Sequence, residues 1–86
     1  MQNPKIGLEY GCWYTVAFET SLMPKPSTHA KKRATIRAGQ MVYFLGYGKG
    51  SVRWCRVICG DCTGWIFVDQ RYQKHYHFFQ KVNLQQ

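Results

Sequence analysis

Hydrophobic and polar positions alternate most regularly over residues 54–68, WCRVICGDCTGWIFV. Residues 54–59 and 63–68 each suit a strand, and Gly60-Asp61 between them suits a tight turn, so the pattern predicts a β-hairpin. With Val57 turned inward, Cys55 and Cys59 share its face, while Trp54, Arg56 and Ile58 take the other. Ile66 then points inward across the hairpin.

The remaining chain divides by the same logic. Residues 8–18, LEYGCWYTVAF, are aromatic and β-branched and predict a strand, with Gly11 at a bulge or bend. Residues 20–30 hold Pro24, Pro26, Ser27 and Thr28, which break ladders and helices alike, so they read as a loop. Lys31, Lys32 and Arg33 continue that loop as a basic run kept in water. Residues 34–38 predict a short strand closed by a turn at Gly39-Gln40, and residues 41–45 predict another. Gly46, Gly48 and Gly50 then end the pattern in a flexible turn, GYGKGS. A phosphate-binding loop would need a helix next, whereas Val52-Arg53-Trp54 continues as strand. Residues 69–74 suit a single helical turn, and residues 75–84, HYHFFQKVNL, a last strand.

No segment carries a sustained helical period with caps. The expectation is an all-β chain of about five short strands, arranged as a small antiparallel barrel or two packed sheets. Residues 1–7 are read as a flexible N-terminus and residues 8–86 as a single domain, since 86 residues leave no room for a second core. A hydrophobic share of 45% with 16% aromatic residues is the balance of a folded domain, in which large rings fill a small core with few residues. No run approaches the roughly 20 apolar residues of a membrane span. The start, MQNPKIGLEYG, lacks the apolar segment of a secretory signal. These two features predict a cytoplasmic protein with reduced thiols.

Charge changes the picture more than composition does. Twelve Lys and Arg stand against four Asp and Glu, a formal net charge of +8. Residues 21–60 contain no carboxylate, yet Lys25, Lys31, Lys32, Arg33, Arg37, Lys49, Arg53 and Arg56 all fall there. A field of one sign concentrates the opposite charge and speeds encounter, so the segregation points to an anionic partner. Nucleic acid, an acidic protein surface and anionic lipid are the classes to weigh. Solubility alone is the plainer explanation.

Residues 34–68 resemble the SH3 fold. Ala34 and Ile36 precede Gly39, Val42 and Phe44 alternate after it, GYGKGS takes the place of the variable loop, Trp54 opens the next strand, and Gly64-Trp65-Ile66 matches the last piece. The resemblance implies a small five-stranded antiparallel SH3-like barrel. It also implies that Trp54 lines a ligand groove, as the first tryptophan of the third strand does in SH3 domains that bind proline-rich peptides. In this chain Phe67 occupies the place of that groove's proline, Tyr72 comes later than its tyrosine, and the facing loop is basic where the family's is acidic. A basic loop repels the Arg or Lys that accompanies such peptides, which points to a different ligand.

SH3-like barrels also serve as nucleic-acid-binding modules, and the chain has the chemistry for it. Lys and Arg neutralise phosphates and release counterions, and aromatic faces stack on unpaired bases. Lys31, Lys32, Arg33, Arg37, Lys49, Arg53 and Arg56 are the candidates for charge, and Tyr43, Tyr47 and Trp54 the candidate rings, although packing in the core or at its rim is the favoured role for any one of the rings. The expected function is a non-enzymatic binding module for nucleic acid. The alternative is an adaptor or inhibitor that binds an acidic protein surface through the same aromatic face.

Cys59-Gly60-Asp61-Cys62 has the spacing of a zinc knuckle or a redox pair. A structural zinc needs four ligands, and the further candidates, Cys12, Cys55, His75 and His77, form no obvious second pair. A hairpin turn accounts for Gly60-Asp61 without a metal. A thiol in a β-turn lacks the helix N-terminus that activates redox cysteines. No metal or cofactor is therefore expected. The carboxylates Glu9, Glu19, Asp61 and Asp69 are scattered, and neither they nor His75 and His77 form a nucleophile–base set, which argues against an enzyme.

Overall fold

In a computed structural model, residues 8–48, 51–68 and 78–82 are described. They contain seven strands: β1 (Trp13–Val16), β2 (Thr20–Leu22), β3 (Ala34–Ile36), β4 (Met41–Gly48), β5 (Ser51–Cys59), β6 (Cys62–Phe67) and β7 (Phe79–Lys81). Five form one antiparallel sheet in the order β6-β5-β4-β1-β7, and β2 pairs with β3 in a separate hairpin. The protein is thus all-β. Among the described residues the outermost strands β6 and β7 do not pair with each other, so the sheet is open and not a closed barrel. The β2–β3 hairpin covers one face of the sheet instead. Among the same residues no helix is long and apolar enough to cross a membrane.

The hairpin read from residues 54–68 forms in the expected register. Trp54 faces Phe67, Arg56 faces Trp65, Ile58 faces Thr63 and Cys59 faces Cys62. Gly60 has φ +60° and Asp61 has no positive φ, the type II′ pattern whose twist matches that of the flanking strands. Cys55, Val57 and Ile66 are fully buried, as their shared face requires.

Alternation along each strand builds the core on the inner face of the sheet. Tyr14 and Val16 of β1, Val42 and Phe44 of β4, Cys55 and Val57 of β5, Ile66 of β6 and Phe79 of β7 meet there. Leu22 and Ile36 of the hairpin close the other side. Each large side chain buried this fully contributes about 1.5–3 kcal/mol. Tyr14 stacks edge-on against both Phe44 and Phe79. Its hydroxyl accepts the Glu9 N–H at 2.7 Å, so the ring's polar tip is satisfied at the core's rim.

Four expectations change. The first strand is shorter than residues 8–18, because Gly11, at φ +79°, makes a turn that donates its N–H to the Phe44 carbonyl at 2.9 Å. Residues 20–22 are strand and not loop: Thr20 faces Ile36 and Leu22 faces Ala34, and cross-strand pairing outweighs the prolines that follow. Only residues 23–33 remain as the connecting loop. The third change is at Gly46, which does not end its strand. It sits in a bulge at φ +139°, and β4 runs on to Gly48. Finally, the described residues hold seven strands, five in one sheet and two in the covering hairpin, where about five in all were expected. The turn at Gly39 forms as read, with φ +88°. The expectations for residues 1–7 and 69–77, including His75, His77 and Tyr72, lie outside the described residues, as does Lys49.

Candidate functional site

One cavity, of about 380 Å³, lies where the β2–β3 hairpin meets the sheet, lined by Thr20, Ser21, Met23, Thr28, Lys32, Trp54 and Phe67. Its floor comes from the sheet. Trp54 and Phe67 are cross-strand partners, so their side chains leave the sheet on the same side, and their rings lie 5.0 Å apart at 51°. Its opposite wall comes from β2 and the loop that follows.

Backbone hydrogen bonds hold that wall in place. Met23 and Trp65 exchange two of them, at 2.8 and 2.7 Å, which ties the end of β2 to β6. Arg33 donates its N–H to the Leu22 carbonyl at 2.7 Å and closes the loop at its base. Within the loop the Ser27 hydroxyl accepts the His29 N–H at 3.1 Å, and the Ser27 N–H bonds the Lys25 carbonyl at 2.7 Å. Glycine is required where the hairpin lies on the sheet: a Cβ at Gly64 would stand 2.7 Å from Leu22 Cγ and 2.7 Å from the Met23 oxygen.

The expected site residues separate into groups. Lys32 and Trp54 line the same cavity. Lys32 Nζ donates to Thr35 Oγ1 at 3.0 Å, which steers its ammonium. Lys31 and Arg33 flank it on the loop, both exposed. Arg53, also exposed, adjoins Trp54, and its carbonyl accepts the Val68 N–H at 2.7 Å. Arg56 is exposed on the same sheet face as Trp54, its guanidinium 6.0 Å from the centre of the Trp65 ring. No carboxylate is among the cavity's lining residues, although Glu19, beside Thr20 in sequence, is exposed.

The other candidates lie elsewhere. Tyr43 shares the outer face but packs its ring 5.1 Å from Trp13. It faces Ile58, four residues along β5 from Trp54, or about 13 Å at the usual strand rise. The bulge at Gly46 turns Tyr47 to the inner side, opposite Cys55. There its ring lies 5.0 Å from Phe44 and its hydroxyl accepts the Leu8 N–H at 2.6 Å. Burial pushes the Tyr47 phenol above its ordinary range. Arg37 follows β3, at the end of the hairpin away from the loop.

Sequence reasoning named Phe67 only as standing in the place of the SH3 groove's proline, and missed Met23, Thr20, Ser21 and Thr28 as cavity residues. Phe67 was within reach, because a turn at Gly60-Asp61 makes it the cross-strand partner of Trp54. The other four meet the sheet only through the hairpin's fold-over, which leaves no local signal.

Among the described residues the cysteines and carboxylates do not gather at one place. All four cysteines are free thiols. Among the described residues no three His, Cys, Asp or Glu side chains cluster as metal ligands. Burial pushes the Cys55 thiol up to about 12. Burial and the neighbouring Cys62 also raise Cys59, whose sulfur accepts the Gln40 side-chain N–H at 3.1 Å. The Glu9 carboxylate accepts from Lys81 Nζ at 2.6 Å and from the Cys12 thiol at 3.7 Å, which fastens the segment before β1 to β7. Searches among protein-family models, curated proteins and solved structures find no match to this chain.

Proposed function

We propose that this chain is an SH3-like, non-enzymatic binding module that holds nucleic acid in the groove between its basic loop and the Trp54–Phe67 ring pair. The SH3-like reading is supported by the sequence of parts: β3, the Gly39 turn, β4, a glycine-rich connection, Trp54 on β5, and a tight hairpin into Gly64-Trp65-Ile66 on β6. The observation that carries the functional reading is that Lys32 and Trp54 line one cavity. A cation and an aromatic face are thereby available to a single ligand, a phosphate for the first and a base for the second.

The mechanism is capture followed by contact. Lys31, Lys32, Arg33 and Arg53 raise the local concentration of a polyanion and displace its counterions. Trp54 and Phe67 then take a base, and the hydroxyls of Thr20, Ser21 and Thr28 are near enough to the same cavity to serve base or sugar edges. Replacing Lys31, Lys32 and Arg33 together with alanine tests the reading. Each phosphate contact contributes about 0.7 to the slope of log affinity against log salt for a single strand, so the slope should fall by about 2. An unchanged affinity and slope would refute it. Weak salt dependence with strong binding to one acidic protein would favour the adaptor reading.

A further inference from the structure

We infer that the groove selects an unpaired strand, and that one nucleobase enters the cavity against Trp54 and Phe67 while the flanking phosphates lie along the 23–33 loop. This rests on the nucleic-acid reading above and adds to it the form of the polymer. Three observations carry it, and the first is shape. Proteins that read a duplex insert a convex element, a helix or a two-stranded ribbon, into a groove. Here the ring pair lies at the base of a concavity walled by Met23, Thr28 and Lys32, and a duplex has no projecting base to place there.

Size and surface give the second. A cavity of about 380 Å³ is at the small end of the roughly 300–1,000 Å³ of small-molecule pockets, a volume for one base-sized group and its sugar. Its apolar floor is ring and thioether, from Trp54, Phe67 and Met23, while Thr20, Ser21 and Thr28 add donors and acceptors at the rim. Flat apolar faces with polar edges describe an unstacked base. In a duplex those faces are already covered by their neighbours.

The third is charge. Lys31, Lys32 and Arg33 are exposed on the loop at the cavity, and Arg56 is exposed on the same sheet face as Trp54, so cations lie along the loop and along β5. A single strand entering at the loop and leaving past Arg56, whose guanidinium lies 6.0 Å from the centre of the Trp65 ring, meets positive charge before and after the base.

The test is a titration of the intact chain, read by tryptophan fluorescence, with four probes compared at equal total phosphate concentration. These are a mixed-sequence single strand, its duplex, the same strand with abasic sites throughout, and its ribose form. The expected result is that the single strand binds at least about tenfold more tightly than the duplex. The abasic strand should lose about tenfold, the scale of one stacked base. Trp54→Ala should bring the intact strand down to the abasic level. Removing the ring also removes packing, so the abasic comparison on the unaltered protein stands as the independent arm. Equal affinity for duplex and single strand, or for intact and abasic strands, overturns the inference while leaving phosphate-driven binding in place. No binding to any probe overturns the nucleic-acid reading itself. The ribose arm separates RNA from DNA as the source of the strand.

Discussion

Among the described glycines, Gly64 is the one where an added methyl should do most damage. Gly64 is buried on β6 opposite Val57, beside the end of β2 that Met23 ties to Trp65. An added Cβ would lie 2.7 Å from Leu22 Cγ, 2.9 Å from Leu22 Cδ1 and 2.7 Å from the Met23 oxygen. Leucine can yield by changing rotamer, but the Met23 oxygen is backbone and is fixed by the Trp65 N–H at 2.7 Å. Relief therefore requires β2 to lift from β6 and break the pair of hydrogen bonds between Met23 and Trp65. Overpacking of a core typically costs about 1–3 kcal/mol, and a clash against pinned backbone belongs at the top of that range, about 3 kcal/mol. At about 4–8 °C per kcal/mol for a domain of this size, Tm should drop by more than about 10 °C. Urea unfolding followed by tryptophan fluorescence measures the change, with Gln80→Ala, an exposed substitution on β7, as a control expected within about 0.5 kcal/mol. A Gly64→Ala protein as stable as the control would show that the hairpin does not lie tightly on the sheet. The groove wall built on that contact would then lose its support.

Further predictions follow from the buried polar groups and turns. Stability should fall as pH rises from about 9 toward 12: Cys55 stays protonated when folded up to about 12 but ionises near 9 when unfolded, so the unfolded state binds fewer protons across that window. The loss should approach about 1.4 kcal/mol per pH unit from this group alone, and Cys55→Ala should flatten the profile measured by denaturant unfolding. Tyr47→Phe leaves the Leu8 N–H without its 2.6 Å acceptor and should cost about 1 kcal/mol in urea unfolding. Gly60→Ala places a side chain at φ +60° in the hairpin turn and should cost about 1–2 kcal/mol, again read by denaturation.

The parts of the fold legible in the sequence were those governed by local alternation. A two-residue turn at Gly60-Asp61 sets every pairing from Cys59–Cys62 to Trp54–Phe67, and the inward positions of Cys55, Val57 and Ile66 follow from it. β2 was hidden because nothing local favours a strand in Thr20–Leu22. Its partners lie 12 to 16 residues away on β3, and its end is held by Trp65, far along the chain. The bulge at Gly46 was hidden for a related reason: a string of glycines reads as a break, whereas here β4 absorbs one extra residue and continues. That single insertion decides Tyr47's role, since it turns the ring from the outer face to the core. The same division holds for the site. Lys32 and Trp54 stood out by charge and by position in the hairpin, but Met23, Thr20, Ser21 and Thr28 join them only after the hairpin folds over the sheet.

The basic loop and the Trp54–Phe67 pair are proposed to act as a single binding surface. Amide NMR shifts recorded while a short single strand is added at two salt concentrations test this. Shifts should cluster at Thr28, residues 31–33, Trp54 and Phe67 and weaken at the higher salt, with Arg37 and β7 unmoved. Shifts confined to one side of the groove, or none at low salt, would contradict it.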